Sequence, residues 1–438
     1  MDRSSLKWSL VAEMGLSSFY SALTRGIFLV YLSELGLDLA GISAVSAGGG
    51  ALSLLVGALA FKSPGVLSSR VREKLLLVHA LERVCWMPMA LAGDPAVLAI
   101  LFSAQSASQA LSSLCMHVVM YGSFGEDEVR DVVAGRISAG AASSIVGLSL
   151  ATALLSLLEG PEKYEVIFLL GAGIGLLSTV LMSLQDLSHL EGLPQPDGVE
   201  EGGRVFAASA YQLLLSSSGV LLSMSWIPFL KHVAGYEDYS IAAMGLVGTA
   251  ASLVSAPLWR SLSPRACRAA VALNSVVPLL IPFWTSALLQ YPLQGLAAST
   301  FSGASLLATY LFARYSRWLG PVRSSALTLA VSGLGQLTAS SLGAALDGMY
   351  EVAFVLSSAA KASALATTML LVPEVSYVPP HVARAYANAA YGITLMGFRV
   401  SLAVTRETLA AALRLVALTL ALLTLYVIYR VAIALLAG

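Results

Sequence analysis

A few ionisable residues stand inside otherwise apolar stretches, and these are where chemistry has to be sought. Arg25 lies about 16 residues into an apolar run that opens near residue 9. A charge buried in a membrane costs roughly 2.5–3.5 kcal/mol even on insertion scales, so it demands a partner or water. Arg25 therefore has two readings: it binds an anionic group or holds a carboxylate, or it pairs structurally with Glu34. Glu13, earlier in the same run, is either a proton-coupling acid whose burial favours the neutral form or an interfacial acid paired to Lys7. His79, Glu82 and Arg83 stand at i, i+3 and i+4, so they reach one another on a helix, as a proton relay or as a self-neutralising cluster. Lys361 has no acid nearby in sequence. Glu126, Asp127, Glu128 and Asp131 surround Arg130; they read either as a clamp for the basic segment 70–74 or as a Mg²⁺ site for a pyrophosphate. The second use calls for a facing acidic cluster, and 314–323 offers Arg314, Arg317 and Arg323 but no acid.

Uncharged polar residues fall at helical spacing in four places. Ser106, Gln109, Ser113 and His117 share one face, as do Gln294, Ser302, Ser305 and Thr309. Gln212, Ser216, Ser223 and Trp226 line up around Gly219. Ser18, Ser21 and Arg25 form a fourth stripe, with Ser17 and Tyr20 beside it. Serines also serve as ordinary packing residues between membrane helices, so each stripe is either a binding face or a packing seam.

The elements that carry these residues follow from composition. Of 438 residues, 57% are hydrophobic and 11% charged, with a mean hydropathy of +0.80. Soluble domains carry about 25% charged residues, and disordered chains carry many charges with few apolar residues, so both classes are excluded. Basic and acidic residues balance at 25 each, so nothing in the overall charge points to nucleic acid. Cys85, Cys115 and Cys267 are far apart and support neither a disulfide framework nor a zinc site. No GxxxxGK[ST] segment is present, so this chain carries no phosphate-binding loop for ATP, and no cofactor or metal is expected.

A bilayer core of roughly 30 Å takes about 20 apolar residues per helix. Spans are expected near 9–33, 40–61, 74–92, 95–121, 136–158, 164–185, 205–230, 240–259, 268–286, 290–313, 323–346 and 350–372. The long polar stretch 186–204 divides six from six, giving halves at 1–185 and 205–372. The N-terminal apolar run is too long and too interrupted for a cleaved signal peptide. With the N-terminus inside, fifteen Lys and Arg fall on the inner side, while the outer loops receive Lys163 and Lys231. That bias orients the chain with a cytoplasmic N-terminus in the plasma membrane. Beyond these spans, 373–438 forms an extension. Its segment 384–406 is too short between Arg384 and Arg399 for an ordinary span and reads as an interfacial or re-entrant helix, with Tyr386 and Tyr391 at headgroup level. Residues 408–436 are apolar enough for a thirteenth span.

The halves share a repeat. At an offset of 199, Ile42, Ala44, Gly49, Ala51, Ser53, Leu54 and Leu59 match Ile241, Ala243, Gly248, Ala250, Ser252, Leu253 and Leu258. Each copy follows an acidic outer loop (Glu34 and Asp38; Glu237 and Asp238) and precedes a basic inner one. Together with TRGIFLVYLSELGLDLAGISAVSAGGG, REKLLLVHALERVCWMPMALA and EDEVRDVVAGR, this layout resembles the major facilitator superfamily over about 1–372. The family's loop pattern Gly-x-x-x-Asp-Arg-x-Gly-Arg-Arg survives here only as Gly57, Lys62, Arg70, Arg72 and Lys74, without the acid. The resemblance implies an all-α integral membrane fold of two six-helix bundles, with the extra C-terminal hydrophobic helix appended.

It also implies that spans one, four, seven and ten line a central cavity, as in a transporter built of repeats. Tyr20, Ser21, Arg25, Gln109, Ser113, His117, Gln212, Ser216, Trp226, Ser302 and Ser305 are then the expected contacts for a small solute. Glu13, His79 and Glu82 are the expected proton-coupling groups, with protons or sodium as the coupling ion. The implied activity is secondary transport by alternating access. A lipid or polysaccharide flippase of another fold and, further off, a membrane prenyl or lipid transferase are the competing classes.

Overall fold

The computed structural model describes residues 3–67, 69–124, 126–191 and 202–396. Within them the chain is helical: α1 (Arg3–Leu23), α2 (Arg25–Glu34), α3 (Leu39–Lys62), α4 (Val71–Val84), α5 (Trp86–Leu91), α6 (Pro95–Ser123), α7 (Glu126–Leu157), α8 (Glu162–Ser183), α9 (Gly202–Pro228), α10 (Asp238–Ser261), α11 (Cys267–Leu280), α12 (Ala287–Leu319), α13 (Pro321–Ala345) and α14 (Tyr350–Leu370). A last helix, α15, begins at residue 380 and is described to 396. The thirteenth span expected at 408–436 lies outside the described residues.

Eight of these helices are long and apolar enough to cross a membrane. The other four expected spans are interrupted or more polar, each for a local reason. The first is α1 plus α2, broken at Thr24, whose hydroxyl and amide both bond to the Tyr20 carbonyl, at 2.8 and 3.0 Å. Such back-bonding bends helices. The third is α4 plus α5; Pro88 has no N–H to donate to the carbonyl of Val84, so α4 ends there. The ninth, α11, continues as one 3₁₀ turn, Ile281–Phe283. The eleventh, α13, carries five serines and two threonines that lower its hydropathy. The connections obey turn chemistry. Asp94 accepts from the amides of Ala96 and Val97 ahead of Pro95, and Gly160 and Gly348 take φ of 73° and 68°, a region open to glycine.

The repeat is visible in the helices themselves: α3 and α10 are both 24 residues long and start 199 residues apart. Packing repeats with it. In the first set α1 lies on α7 and α8, α3 on α6, and α4 on α6 and α8. In the second, α9 lies on α13 and α14, α10 on α12, and α11 on α12 and α14. Between the sets, α3 meets α13 and α7 meets α10. This is compatible with two six-span bundles. The α3–α13 contact is close enough to need glycine. A Cβ on Gly50 or Gly57 would stand 2.6 Å from the backbone nitrogen of Leu337 or Ala330.

The apolar core is distributed unevenly between the two ends of the bundle. The N-terminal face is the end at which α1, α9 and α13 begin; the opposite face carries Glu34, Lys163 and Asp238. Toward the opposite face one continuous cluster joins both sets, from Ile27, Leu32 and Ile42 to Trp226, Phe229, Ile241 and Ala339. Toward the N-terminal face there are two clusters. One is built from α1–α8 and touches α13 at Val322 and Ala326; the other lies within α9–α15.

Candidate functional site

A cavity of about 550 Å³ opens between the two sets of helices. Its walls come from α2 (Arg25, Phe28, Leu29), α3 (Ser46, Ser53), α6 (Phe102, Ser106, Gln109) and α9 (Ser216, Gly219, Ser223, Trp226). They are completed by α11 (Asn274), α12 (Gln294, Phe301), α13 (Gln336) and α14 (Lys361). Phe102 to Gln109, Gln294 to Phe301 and Ser46 to Ser53 each lie 7–14 residues below the opposite-face end of their helix. At 1.5 Å per residue that is about 10–21 Å, the middle of a bilayer core of roughly 30 Å.

The break at Thr24 sets the position of Arg25. It starts α2 afresh, and its guanidinium donates to Gln105 Oε1 at 3.0 Å. The pairing with Glu34 does not form; Glu34 instead accepts from Lys231 at 2.7 Å. Trp226 turns its indole N–H to Gln290 Oε1 at 2.9 Å, which leaves its ring for the cavity wall. Gln336 donates to the Ser46 carbonyl at 3.1 Å, a hydrogen bond between the two sets of helices. Asn274 donates to the Ala297 carbonyl and to Thr300, both at 2.8 Å.

Of the residues expected at the site, Arg25, Gln109, Ser216 and Trp226 line this cavity. So do Ser106, Ser223 and Gln294 from the same stripes. The lower members of the stripes do not. Ser113 is exposed and His117, Ser302 and Ser305 are half-buried, all farther toward the N-terminal face. Gln212 is bonded to Ser332 of α13 at 3.0 Å. Ser21 is half-buried outside the wall.

Tyr20 and the acid–base candidates form a different assembly. Tyr20 donates to Glu82 at 2.9 Å, and Glu82 meets Arg83 at 2.8 Å. Glu13 meets Arg136 at 2.9 Å, His79 at 3.1 Å and Ser17 at 2.6 Å. His79 holds Thr179 with its other nitrogen at 2.8 Å. Lys7 goes to Asp131, so the expected Glu13–Lys7 pair is replaced by an interior network. With His79 neutral, two carboxylates face two guanidiniums and the charges cancel. The cluster ties α1 to α4, α7 and α8, and none of its members lines the cavity.

The charges on the loops are also rearranged. Arg72 donates to the Ser183 carbonyl at 2.7 Å, and Lys74 to Ser69 and the Val66 carbonyl, so the clamp onto 126–131 is not made by these two residues. The side chains of Glu126, Asp127 and Arg130 lie outside the described residues. Among the described residues no three His, Cys, Asp or Glu are grouped to hold a metal ion. On the opposite face Asp238 bonds both Lys163 and Lys231, the latter at 2.5 Å, and Ser33 meets His232 at 3.1 Å.

The wall residues that the sequence reading missed are instructive. Ser46 and Ser53 sit i, i+7 on a helix where every face is apolar or small, and Gln336 is the one amide in α13. Lys361 stood out by lacking an acid, yet nothing in its spacing indicated which way it faces.

No curated protein matches the sequence. Solved structures do. The nucleoside transporter NupG superposes with a TM-score of 0.60 at 12% identity, over 83% of this chain and 98% of that one. A bacterial homologue of the human lysosomal transporter Spinster, in an inward-facing and occupied conformation, gives 0.60 at 14% identity, over 89% and 96%. The Escherichia coli fucose:proton symporter FucP gives 0.56 at 12% identity, over 82% and 97%. At such identities these matches establish the fold alone. The model of the Major Facilitator Superfamily matches residues 14–293, well over half the sequence, and the chain belongs to that family.

Proposed function

We propose that the chain is a secondary transporter that moves a small solute by alternating access through the cavity between residues 1–185 and 205–372. The observation that carries this reading is the asymmetry of the core around a midplane cavity. One apolar cluster and the Glu34–Lys163–Lys231–Asp238 network join the halves on the opposite face. On the N-terminal face the clusters separate, and Ser113 and Thr309 are exposed beyond the cavity. The cavity is therefore read as open toward the N-terminal face, which the Lys and Arg bias makes cytoplasmic. The Spinster homologue of similar fold was captured inward-facing. Glu13 and Glu82, neutralised by Arg136 and Arg83, are read here with His79 as a brace away from the cavity; protons or sodium then couple elsewhere, or the carrier runs as a uniporter.

The test is accessibility from each side. The native cysteines, all buried and free, are replaced, and Ser106→Cys and Ser216→Cys are introduced singly. In sealed vesicles of each orientation, a membrane-impermeant maleimide should label both positions from the N-terminal face. Labelling from the opposite face should appear only as the conformation exchanges. Labelling from both faces at equal rates from the outset marks a channel; labelling from one face under every condition removes the transport reading.

A further inference from the structure

Two basic side chains in this cavity have no carboxylate within hydrogen-bond reach among the described residues. Lys361 is 1% exposed and makes no hydrogen bond or ion pair with any described residue. Its own helix cannot supply one. Glu351 is ten residues away, about 15 Å along the axis, and the neighbouring hydroxyls of Ser357 and Ser358 are bonded to the carbonyls of Ser218 and Ser275. Arg25 donates to a neutral amide, Gln105. The carboxylate nearest its helix turn, Glu82, already serves Tyr20 and Arg83, and Glu34 serves Lys231. Among the described residues no Asp or Glu lines the cavity.

A buried charge that is left unpaired is costly, and elsewhere among the described residues each buried charge has an opposite charge within 4.0 Å. The same wall carries four aromatic side chains, Phe28, Phe102, Trp226 and Phe301, which offer an apolar body a surface. A neutral solute would leave both cations uncompensated, and a zwitterion, bringing a cation with its anion, would leave the sum of charge unchanged. We propose that the transported solute is a small organic anion, a carboxylate or phosphate head on an apolar body, held between Arg25 of one half and Lys361 of the other. This identification of the solute class rests on the transport reading above.

The test uses the purified full chain in a neutral detergent and follows thermal unfolding against matched probes on the same bodies. These are phenylacetate with phenylacetamide and phenethylamine, hexanoate with hexanamide and hexylamine, succinate with succinamide, and phenyl phosphate with benzyl alcohol. At least one anion should raise the unfolding temperature saturably while its neutral and cationic partners do not. Lys361→Met and Arg25→Met should each weaken that anion on the order of 10- to 100-fold, as loss of a hydrogen bond to a charged group does, while Lys361→Arg retains part of the affinity. The proposal is overturned if a neutral or cationic partner stabilises as well as its anion, if the effect survives both Met variants, or if no anion stabilises. Should Ser106→Cys and Ser216→Cys still label alternately in that event, the solute class alone has failed; should they not, the transport reading fails with it.

Discussion

The opposite-face network offers the sharpest test of how the two halves are held together. Asp238 accepts from Lys163 and from Lys231, the latter at 2.5 Å, and Lys231 also reaches Glu34 at 2.7 Å. Two ammoniums and two carboxylates cancel. Asp238→Asn removes one carboxylate with little change of shape and leaves two lysines on Glu34. Breaking a fully buried pair costs about 3–5 kcal/mol. Here the Lys163, Lys231 and Glu34 side chains are 12%, 19% and 35% exposed, so solvent screening takes about half of that. The remaining cost of about 1.5–2.5 kcal/mol shifts the closed–open balance on that face by roughly 10- to 70-fold. Ser223→Cys, exposed in the cavity wall, is the reporter. Its maleimide labelling rate from the opposite face should rise by that factor and fall from the N-terminal face. Adding Lys163→Gln to Asp238→Asn restores neutrality and should return the rate most of the way. Unchanged labelling from both faces in Asp238→Asn, or no recovery in the double variant, would refute the argument that this network holds the face shut.

Three further outcomes are expected. Glu13→Gln leaves Arg136 without its carboxylate deep between α1 and α7, and should cost about 3–5 kcal/mol, read as a lowered unfolding temperature with no change in the anion preference of the remaining folded protein. Gly57→Ala sets a methyl 2.6 Å from the Ala330 nitrogen and 2.8 Å from the Ala326 oxygen, so α3 and α13 must part and stability should fall by about 1–3 kcal/mol; Gly173→Ala on α8, which meets nothing within 4 Å, is the control and should be neutral or stabilising. Asp38 is held below the ordinary carboxylate range by the amide of Gly41, and Asp347 above it by its hydrogen bond with Asp38. The proton on Asp347 therefore favours the folded state at low pH, a gain lost as pH rises through its raised value, while Asp38 contributes above its unfolded value and loses that as pH falls through its lowered one. Asp38→Asn should return Asp347 toward the ordinary range in a carboxyl NMR titration.

The fold was largely legible because its signals are long and redundant. Twenty apolar residues in a row, turn residues between them and an offset of 199 each report the same layout, and α3 and α10 reproduce that offset to the residue. The site was legible only in part, because a helical stripe fixes a face but not a depth. Gln109 and Ser113 share a face of α6, yet one lines the cavity and the other lies exposed farther toward the N-terminal face. Helix breaks mattered for the same reason. The break at Thr24, where φ is −104° and ψ is −81°, sets where α2 and Arg25 begin, and spacing does not reveal it. Glu13 was read against Lys7, four residues from the inner end of α1, whereas burial drew it to Arg136, 123 residues on. Contacts between spans are set by packing, and a single sequence carries no direct record of them.

Three groups of charges stand in contrast, and that contrast supports the functional argument. The brace of Glu13, Glu82, Arg83 and Arg136 is neutral and lies within one half, so it has no reason to change as the halves move. The opposite-face network is neutral as well but is built from both halves, Glu34 and Lys163 against Lys231 and Asp238, so it is complete only when that face is shut. The cavity pair, Arg25 and Lys361, also takes one residue from each half, but among the described residues no acid shares their wall. On the proposed reading an entering anion supplies the missing charge, and it does so where both halves can reach it. Neutralising one cation alone would leave the other buried and unpaired, so the favourable arrangement is the one in which the solute touches both. That requirement links occupancy of the cavity to the spacing of the halves through charge, and Lys361→Met should weaken the link even where some binding to Arg25 persists.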